Sequence, residues 1–303
     1  MEKQNKKVVI LGGGFAGVFT YLELLKDCEK KDCYDVTLIN RNDYFDFIPL
    51  SHEIATGSLM PSDVTLSLHR LPKGKNTRFL QGDILKIDTK SKSVEVTIKD
   101  VSINRLEVLS YDYLLIALGS ETDTFGVPGV KEHAMTLKGL FDAKIIKNKI
   151  LQNFEIASQT NDEEKIRELL TFVVIGGGPT GVELSAEIAD FVFDELYKVH
   201  PNLKGKAEVL LIHAGDQLIP VADVWFHKKS LSILKKLKVQ VLLSKKVTEI
   251  RESEIIIQDE SIKTRSVFWT AGVRARDIDI ISKNAVSRDE KTGRKMESRT
   301  GRA

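Results

Sequence analysis

The sequence predicts an α/β protein with two Rossmann-like dinucleotide-binding domains, because one pattern occurs in it twice. Apolar runs at residues 8–11 and 172–175 read as buried parallel strands. Each run is followed by three glycines at GxGxxG spacing and then by an amphipathic helix: Gly12, Gly14 and Gly17 in the first case, Gly176, Gly178 and Gly181 in the second. In such a unit the first glycine makes a tight turn, the second admits a pyrophosphate and the third packs helix on strand. Two units therefore predict two dinucleotide sites.

Composition excludes several other classes of protein. A chain of 303 residues is long enough for two domains. The net charge of +2 favours no nucleic-acid partner. The sequence has no apolar run of eighteen residues, as a membrane-spanning helix would need. Two cysteines indicate a reducing compartment, and the histidines lack metal-like spacing, so we expect a cytoplasmic protein without a metal site.

The first unit predicts a helix over residues 15–30 and a second strand over 36–39 that ends in Asn40. An acidic residue usually stands at this position to bind ribose hydroxyls, and Asn40 offers its amide oxygen instead. Residues 44–61 are aromatic and irregular, which fits either a packed loop or a segment over a ring-bearing cofactor. Strands at 78–80, 84–87 and 93–98 predict a small antiparallel insert. A last strand, 113–118, ends at Gly119 and Ser120.

The second half predicts helices over 138–151 and 162–170, the latter capped by Asn161 or Asp162. In the second unit the strand 209–212 ends in His213. A lysine-rich helix over 223–236, a strand over 239–243 and a hairpin over 247–258 follow. The strand 267–269 leads to Thr270, Ala271 and Gly272. We therefore predict one domain over 1–125, a second over 126–270, and a return toward the first over 271–303.

Five motifs together resemble type II NADH dehydrogenases, which belong to the pyridine-nucleotide flavin oxidoreductases. They are GGGFAG, NRNDYFDFIPLSHEIATG, YDYLLIALGS, VVIGGGPTGVELSAEIAD and WTAGVRA, between residues 7 and 276. The resemblance implies FAD in the first domain and NADH in the second. It implies hydride transfer from NADH to FAD and electron transfer on to a quinone. Peripheral membrane association, at the cytoplasmic face for a full-length relative, and a homodimer are further implications.

The resemblance also implies a role for each matching residue. The FAD pyrophosphate would lie on Gly12, Gly14, Phe15, Ala16 and Gly17, and its adenosine near Asn40, Arg41 and Ile84, with Gly119 and Ser120 approaching from a strand end. The NADH pyrophosphate would lie on Gly176, Gly178, Pro179, Thr180 and Gly181, with Thr270, Ala271 and Gly272 near the nicotinamide. Glu183 would face the nicotinamide and the flavin, where it positions the ring or transfers a proton. The plainer alternative for Glu183 is a carboxylate favoured by the helix dipole.

Three departures from the family pattern qualify these expectations. Cys28 and Cys33 have the CxxxxC spacing of flavin disulfide reductases but precede the second strand, so we expect free thiols. His213 stands where NADH-selective relatives have Glu, which leaves NADPH open as a donor. After Gly272 the family's Gly-Asp turn and its C-terminal membrane helices have no match, and residues 288–303 read as a polar tail. The first domain is therefore expected to be incomplete, and a non-catalytic remnant or a soluble diaphorase are the alternative functions.

Overall fold

The structure is a computed structural model that describes residues 5–28, 34–99, 104–258 and 260–281. The predicted tail at 288–303 and the side chains of Cys28 and Cys33 lie outside this description. The chain divides into two compact units. The first comprises Met1–Asp46, Thr65–Glu121 and Arg274–Ala303, and the second comprises Phe47–Val64 and Thr122–Val273.

Strands dominate the chain up to Thr122. They are β1 (Lys6–Leu11), β2 (Tyr34–Asn40), β3 (Tyr44–Asp46), β4 (Thr65–Ser67), β5 (Thr77–Asp88), β6 (Ser93–Ile98), β7 (Arg105–Ser110), β8 (Tyr113–Ile116) and β9 (Ser120–Thr122). The helices of the same stretch are α1 (Phe15–Cys28), α2 (Ser51–Thr56) and α3 (Pro61–Val64), with short 3-10 turns at Ile48–Leu50 and Leu68–Arg70.

Helices and strands alternate in the second half of the chain. The strands are β10 (Ala134–Thr136), β11 (Thr171–Ile175), β12 (Glu208–Ile212), β13 (Gln240–Leu242), β14 (Val247–Ile250), β15 (Glu254–Ile257), β16 (Glu260–Lys263), β17 (Ser266–Trp269), β18 (Val273–Ala275) and β19 (Asp279–Ile281). The helices are α4 (Val130–His133), α5 (Leu140–Ser158), α6 (Glu163–Leu170), α7 (Pro179–Asp190), α8 (Tyr197–Val199) and α9 (Val224–Lys236). A π-helical segment, Phe191–Leu196, extends α7, and a 3-10 turn covers Pro201–Leu203.

The first unit is built on a sheet of strand order β7-β6-β5-β2-β1-β8, with β19 also paired to β5. Strands β5, β2, β1 and β8 are parallel, whereas β6 and β7 are antiparallel. Because side chains alternate along a strand, β1 supplies both faces of the sheet. Val8 and Ile10 pack toward α1, and Val9 and Leu11 pack toward β6 and β7.

The second unit repeats this plan with a fully parallel sheet of order β10-β17-β11-β12-β13. Phe172 and Val174 of β11 pack into a core with the helices. Val173 and Ile175 pack on the other side with residues of the antiparallel sheet β14-β15-β16. Each unit thus has helices on one face of a parallel sheet and antiparallel strands on the other. This arrangement leaves the strand ends free to form a site.

Two stretches differ from the sequence-based expectation. The predicted strands at 78–80 and 84–87 form the single twelve-residue strand β5, whose first part pairs with β2 and whose last part pairs with β19. The stretch 44–61 is not irregular throughout, because it contains β3 and helix α2. Ile54 and Ala55 of α2 are buried in the helical core of the second unit. Residues 47–64 therefore belong to that unit, although they lie within the predicted first domain.

Helix α6 begins at the predicted cap. The carboxylate of Asp162 accepts hydrogen bonds from the N–H groups of Glu164 and Lys165, each at 3.1 Å, so Asp162 rather than Asn161 is the N-cap. The helix leads directly into β11 and so fixes where the second glycine-rich turn begins.

Candidate functional site

The first glycine of each glycine-rich turn has a backbone conformation that disfavours a side chain. The φ angle is +110° at Gly12 and +122° at Gly176. An ideal Cβ on Gly12 would lie 2.1 Å from the carbonyl oxygen of Ala117, and one on Gly176 would lie 2.7 Å from the nitrogen of Ala271. Each turn is therefore pressed against the end of the neighbouring parallel strand, β8 or β17.

The third glycine lets each helix sit directly on its turn. An ideal Cβ on Gly17 would lie 1.8 Å from the carbonyl oxygen of Gly12, and one on Gly181 would lie 1.8 Å from that of Gly176. Such distances are shorter than any van der Waals contact, so only glycine fits at either position. The N-termini of α1 and α7 are held in the same way on their strands.

The second glycine of each turn has free space in front of it. Within the described chain, no atom lies within 4 Å of an ideal Cβ on Gly14 or Gly178. The residues that follow are exposed at the first turns of α1 and α7: Phe15 and Ala16 in the first unit, Pro179 and Thr180 in the second. A side chain would fill this space, and the N-terminal N–H groups of a helix attract an anion. The two cradles therefore fit the pyrophosphate of a dinucleotide.

The residue at the end of the second strand braces each turn, a role that the sequence does not predict. The Gly13 N–H donates to Oδ1 of Asn40 at 2.9 Å, and the Gly177 N–H donates to Nδ1 of His213 at 3.1 Å. The Asn40 amide also donates to the carbonyl oxygen of Asn42 at 2.9 Å. From their position in the unit alone, Asn40 and His213 are both predicted to bind the ribose. The structure adds that one polar atom of each side chain accepts a hydrogen bond from the glycine-rich turn.

The hydrogen bond from Gly177 fixes the protonation of His213. Because Nδ1 accepts, the ring proton lies on Nε2, and protonation of Nδ1 would break this bond. Burial lowers the pKa of His213, and the charge of Asp216 opposes that shift. The imidazole is consequently neutral at neutral pH and offers an N–H donor, whereas a glutamate would offer an acceptor and a negative charge.

A cavity of about 250 Å³ in the first unit brings four of the predicted residues together. Its lining includes the predicted Gly12, Asn40, Arg41 and Ile84. It also includes residues that the sequence does not single out: Gly82, Asp83, Leu85, Leu118, Arg276, Asp277, Ile278 and Asp279. Arg41 donates to Asp83 at 2.5 Å, which orients its guanidinium at the wall. The last four residues reach the cavity because β19 pairs with β5.

The two strand ends predicted to approach the cofactors form turns. The φ angle is +72° at Gly119 and +69° at Gly272. Thr270 donates through both its backbone N–H and its hydroxyl to the carbonyl oxygen of Ile175, each at 2.9 Å. This pair of bonds holds Thr270 and Ala271 beside the turn at Gly176. Ser120 begins β9.

Glu183 lies one residue beyond the first turn of α7, since that helix begins at Pro179 after the N-cap Gly178. The predicted alternative, a carboxylate held by the helix dipole, is weaker there because the effect falls off after the first turn. Oε2 of Glu183 lies 3.6 Å from Nδ1 of His52 on α2. Burial raises the pKa of Glu183, and the neighbouring His52 lowers it. From the sequence alone, His52 reads only as a surface or packing residue.

One helical turn after Glu183, Glu187 ties α7 to the end of α2. Its Oε2 accepts hydrogen bonds from the hydroxyls of Thr56 and Ser58, each at 3.0 Å. Gly57, between these two, ends α2 with a φ of +94°. These contacts hold α2 in register with α7, so His52 stays beside Glu183.

Two open turns, each at the end of a parallel strand, have the geometry expected of the class of proteins that bind two dinucleotides. The chain belongs to the pyridine nucleotide-disulphide oxidoreductase family, whose model matches residues 6–299. The predicted α/β class with Rossmann-like domains is thereby confirmed.

Two named relatives show which kind of oxidoreductase within this family the chain resembles. The chain is 34% identical over 286 residues to the mitochondrial external alternative NAD(P)H-ubiquinone oxidoreductase B2 of Arabidopsis thaliana, a match that covers 91% of this chain and 48% of that protein. It is 33% identical over 303 residues to the external NADH-ubiquinone oxidoreductase 2 of Saccharomyces cerevisiae, covering 96% of this chain and 54% of that protein. The resemblance to type II NADH dehydrogenases is therefore confirmed.

A solved structure agrees with these relatives. NDH2 from Plasmodium falciparum, in complex with NADH, superposes with a TM-score of 0.82 at 29% identity, covering 90% of this chain and 56% of that one. The chain thus spans about half the length of the curated relatives it matches. In the ranges that the structure describes, no helix has the length and hydrophobicity to cross a membrane.

Proposed function

We propose that this chain is the dinucleotide-binding part of an FAD-dependent NADH dehydrogenase that passes electrons to a quinone. The observation behind this proposal is the pair of matching turns, both open at the second glycine. The named relatives are NAD(P)H-ubiquinone oxidoreductases, and a solved relative binds NADH. One site for each of two dinucleotides is what such a reaction requires.

In this proposal the first unit holds FAD. Its pyrophosphate lies on the N-terminus of α1 at Gly14, Phe15 and Ala16. The adenosine half occupies the cavity beside Arg41 and Ile84, whose volume of about 250 Å³ suits a nucleoside. Gly119 and Ser120 approach from the end of β8.

The second unit holds NADH. Its pyrophosphate lies on the N-terminus of α7 at Gly178, Pro179 and Thr180, and its adenosine ribose lies near His213. Thr270, Ala271 and Gly272 lie near the nicotinamide, and Glu183 faces the reacting rings. NADPH remains an alternative donor, because His213 has no charge to repel a 2′-phosphate.

The reaction balances as NADH, a quinone and one proton giving NAD and a quinol. FAD, when bound, supplies the two-electron chemistry between nicotinamide and quinone. The protein would contribute binding and orientation: the two helix N-termini would hold the pyrophosphates, and the turns at Gly119 and Gly272 would lie near the rings. Glu183 can hold the one proton that NADH does not supply, since burial raises the pKa of its carboxyl.

We further propose quinone as the physiological acceptor, reached by peripheral association with a membrane surface, and a homodimer as the assembly. The cytoplasmic face of a membrane is the proposed location, and the named relatives are mitochondrial. Sedimentation with and without quinone-containing vesicles tests both the association and the assembly. A monomer that never sediments with vesicles contradicts these two points.

The visible spectrum of the purified chain tests the proposed function. We expect a flavin spectrum that bleaches when NADH is added without oxygen and returns when a soluble quinone is added. A colourless protein that FAD cannot reconstitute would instead identify a non-catalytic remnant. Bleaching followed by oxidation with soluble but not membrane quinones would identify a diaphorase.

The neutral His213 predicts similar use of the two nicotinamide donors. We expect kcat/KM for NADPH to lie within about tenfold of that for NADH. His213→Glu should lower the NADPH value by a further factor on the order of ten, because a carboxylate repels the 2′-phosphate. His213→Gln keeps an acceptor for the Gly177 N–H without a charge, and should leave the ratio unchanged. A wild-type preference for NADH above a hundredfold contradicts this prediction.

A further inference from the structure

His52 lies between two carboxylates of the second unit, those of Glu183 and Glu53. Its Nδ1 lies 3.6 Å from Oε2 of Glu183, and its Nε2 lies 4.0 Å from Oε1 of Glu53. The imidazole is 14% exposed, whereas the side chain of Glu183 is 48% exposed and that of Glu53 is 29% exposed. Both distances are slightly longer than direct hydrogen bonds. A small rotation of either carboxylate would close each gap.

The position of His52 is fixed by packing. Its neighbours Ile54 and Ala55 are buried in the core, and Glu187 binds the far end of α2 through two hydroxyls. His52 therefore cannot move away from α7 without breaking these contacts.

The charges around His52 are mostly negative. Glu53 on its own helix and Glu183 on α7 face the ring directly. Glu187 on α7 is engaged by the hydroxyls at the end of α2. Lys147 on α5 lies against Gly57, at the end of α2. The two charged groups nearest the imidazole are therefore both carboxylates.

We propose that His52 is a positioning residue that exchanges a proton with Glu183 and orients its carboxylate. This proposal rests on the proposed function and adds to it a path for the proton. Quinone reduction to quinol consumes two electrons and two protons. NADH supplies both electrons and one proton as hydride, so one further proton must come from solvent.

His52 can pass that proton because its two nitrogens face opposite ways. Neutral His52 with its ring proton on Nδ1 takes up a proton at Nε2 on the side of Glu53, directly or through water, and the resulting imidazolium donates its Nδ1 proton to the Glu183 carboxylate. The imidazole that remains carries its proton on Nε2, and exchange with solvent returns the proton to Nδ1 before the next turnover. Glu183 then delivers its proton to the quinone oxygen, and no other oxidant or reductant is required. The opposing effects of burial and of His52 on the pKa of Glu183 agree with this coupling.

Nuclear magnetic resonance on the cofactor-free chain tests the coupling without any enzymatic activity. The ¹⁵N chemical shifts of the labelled His52 imidazole are recorded at one pH in the wild type, in Glu183→Gln and in Glu187→Gln. We expect Glu183→Gln to change the ¹⁵N chemical shift of Nδ1 of His52, since the carboxylate 3.6 Å from that nitrogen is lost. Glu187→Gln keeps a side-chain oxygen that can accept from the hydroxyls of Thr56 and Ser58, so α2 stays in place. It removes a carboxylate that does not face the ring, and should change the chemical shift of His52 clearly less. Equal shifts in the two variants, or none, overturn the proposal.

Stopped-flow kinetics of the two half-reactions tests the proton path. In His52→Gln we expect flavin reduction by NADH within twofold of wild type. Flavin oxidation by a soluble quinone should be about tenfold slower, with its pH profile moved to higher pH because Glu183 loses a positive neighbour. Imidazole in the buffer should restore the rate of His52→Ala. A wild type that NADH does not bleach refutes the proposed function itself. A bleaching wild type with unchanged quinone kinetics in His52→Gln refutes only the role of His52.

Discussion

Gly178→Ala is expected to leave the fold intact and to slow reduction of the bound flavin by NADH on the order of a hundredfold. Gly178 has extended backbone dihedrals, φ −76° and ψ 178°, which any residue adopts. Within the described chain, an added Cβ meets nothing within 4 Å. The loss of a glycine at the N-cap of α7 costs about 1 kcal/mol or less. The methyl group instead occupies the space through which a pyrophosphate reaches the helix N-terminus.

The expected size of this effect follows from the precision that hydride transfer needs. A displacement of about 1 Å reduces the rate on the order of a hundredfold. The rate at which anaerobic NADH bleaches the flavin spectrum measures the effect, and urea unfolding confirms that the loss of stability is about 1 kcal/mol or less. Gly14→Ala is the matched control in the other unit: it should lose flavin, while Gly178→Ala keeps flavin and is bleached much more slowly than the wild type. Normal bleaching of Gly178→Ala would show that NADH does not bind at this turn.

Gly181→Ala, three residues along the chain, is expected to destabilise the second unit strongly. Alanine in a helix is normally more stable than glycine by about 1 kcal/mol. Here its Cβ would lie 1.8 Å from the carbonyl oxygen of Gly176 and 2.7 Å from the hydroxyl of Thr270. The carbonyl oxygen of Gly176 belongs to the backbone of a tight turn, so its displacement costs considerable free energy. We expect a net loss of about 3 kcal/mol or more.

The midpoint of urea unfolding, followed by circular dichroism, measures this loss. Gly178→Ala serves as the control, because it introduces the same methyl group into the same turn where nothing in the described chain touches it. A midpoint for Gly181→Ala at or above that of the wild type would mean that α7 does not sit on the turn as described.

The glycine-rich turns could be predicted from the sequence because their geometry is local. Each needs a strand, three glycines at fixed spacing and a helix, all within about twenty residues. The antiparallel strands could be predicted in part for the same reason, since alternation of apolar residues indicates β6 and the hairpin of β14 and β15. Strand β7 has no such clear pattern and could not be predicted.

The wall of the first cavity could not be predicted because it depends on distant pairing. The hydroxyl of Thr89 donates to the carbonyl oxygen of Ile281, which lies 192 residues further along the chain. Only the pairing of β19 with β5 brings Arg276 and Asp279 to Arg41. The hydrogen bonds by which Asn40 and His213 hold the glycine-rich turns could not be predicted either, because they depend on side-chain orientation and not on sequence spacing.

Helix α2 could not be predicted because its sequence gives few local signals. Its N-cap is Leu50, which makes no side-chain cap, and only Gly57 marks its end. Packing of Ile54 and Ala55 in the core stabilises it instead. The contact between His52 and Glu183 depends entirely on this helix, so it could be found only in the structure.

The chain passes between the two units at four points: after Asp46, Val64, Glu121 and Val273. Neither unit is therefore a continuous segment of the gene. A fragment covering only 122–273 would contain the second glycine-rich turn and Glu183, yet it would lack α2. It would expose the core surface that Ile54 and Ala55 cover. The two halves of this protein are interleaved, so neither can be expressed, exchanged or duplicated as a single contiguous cassette.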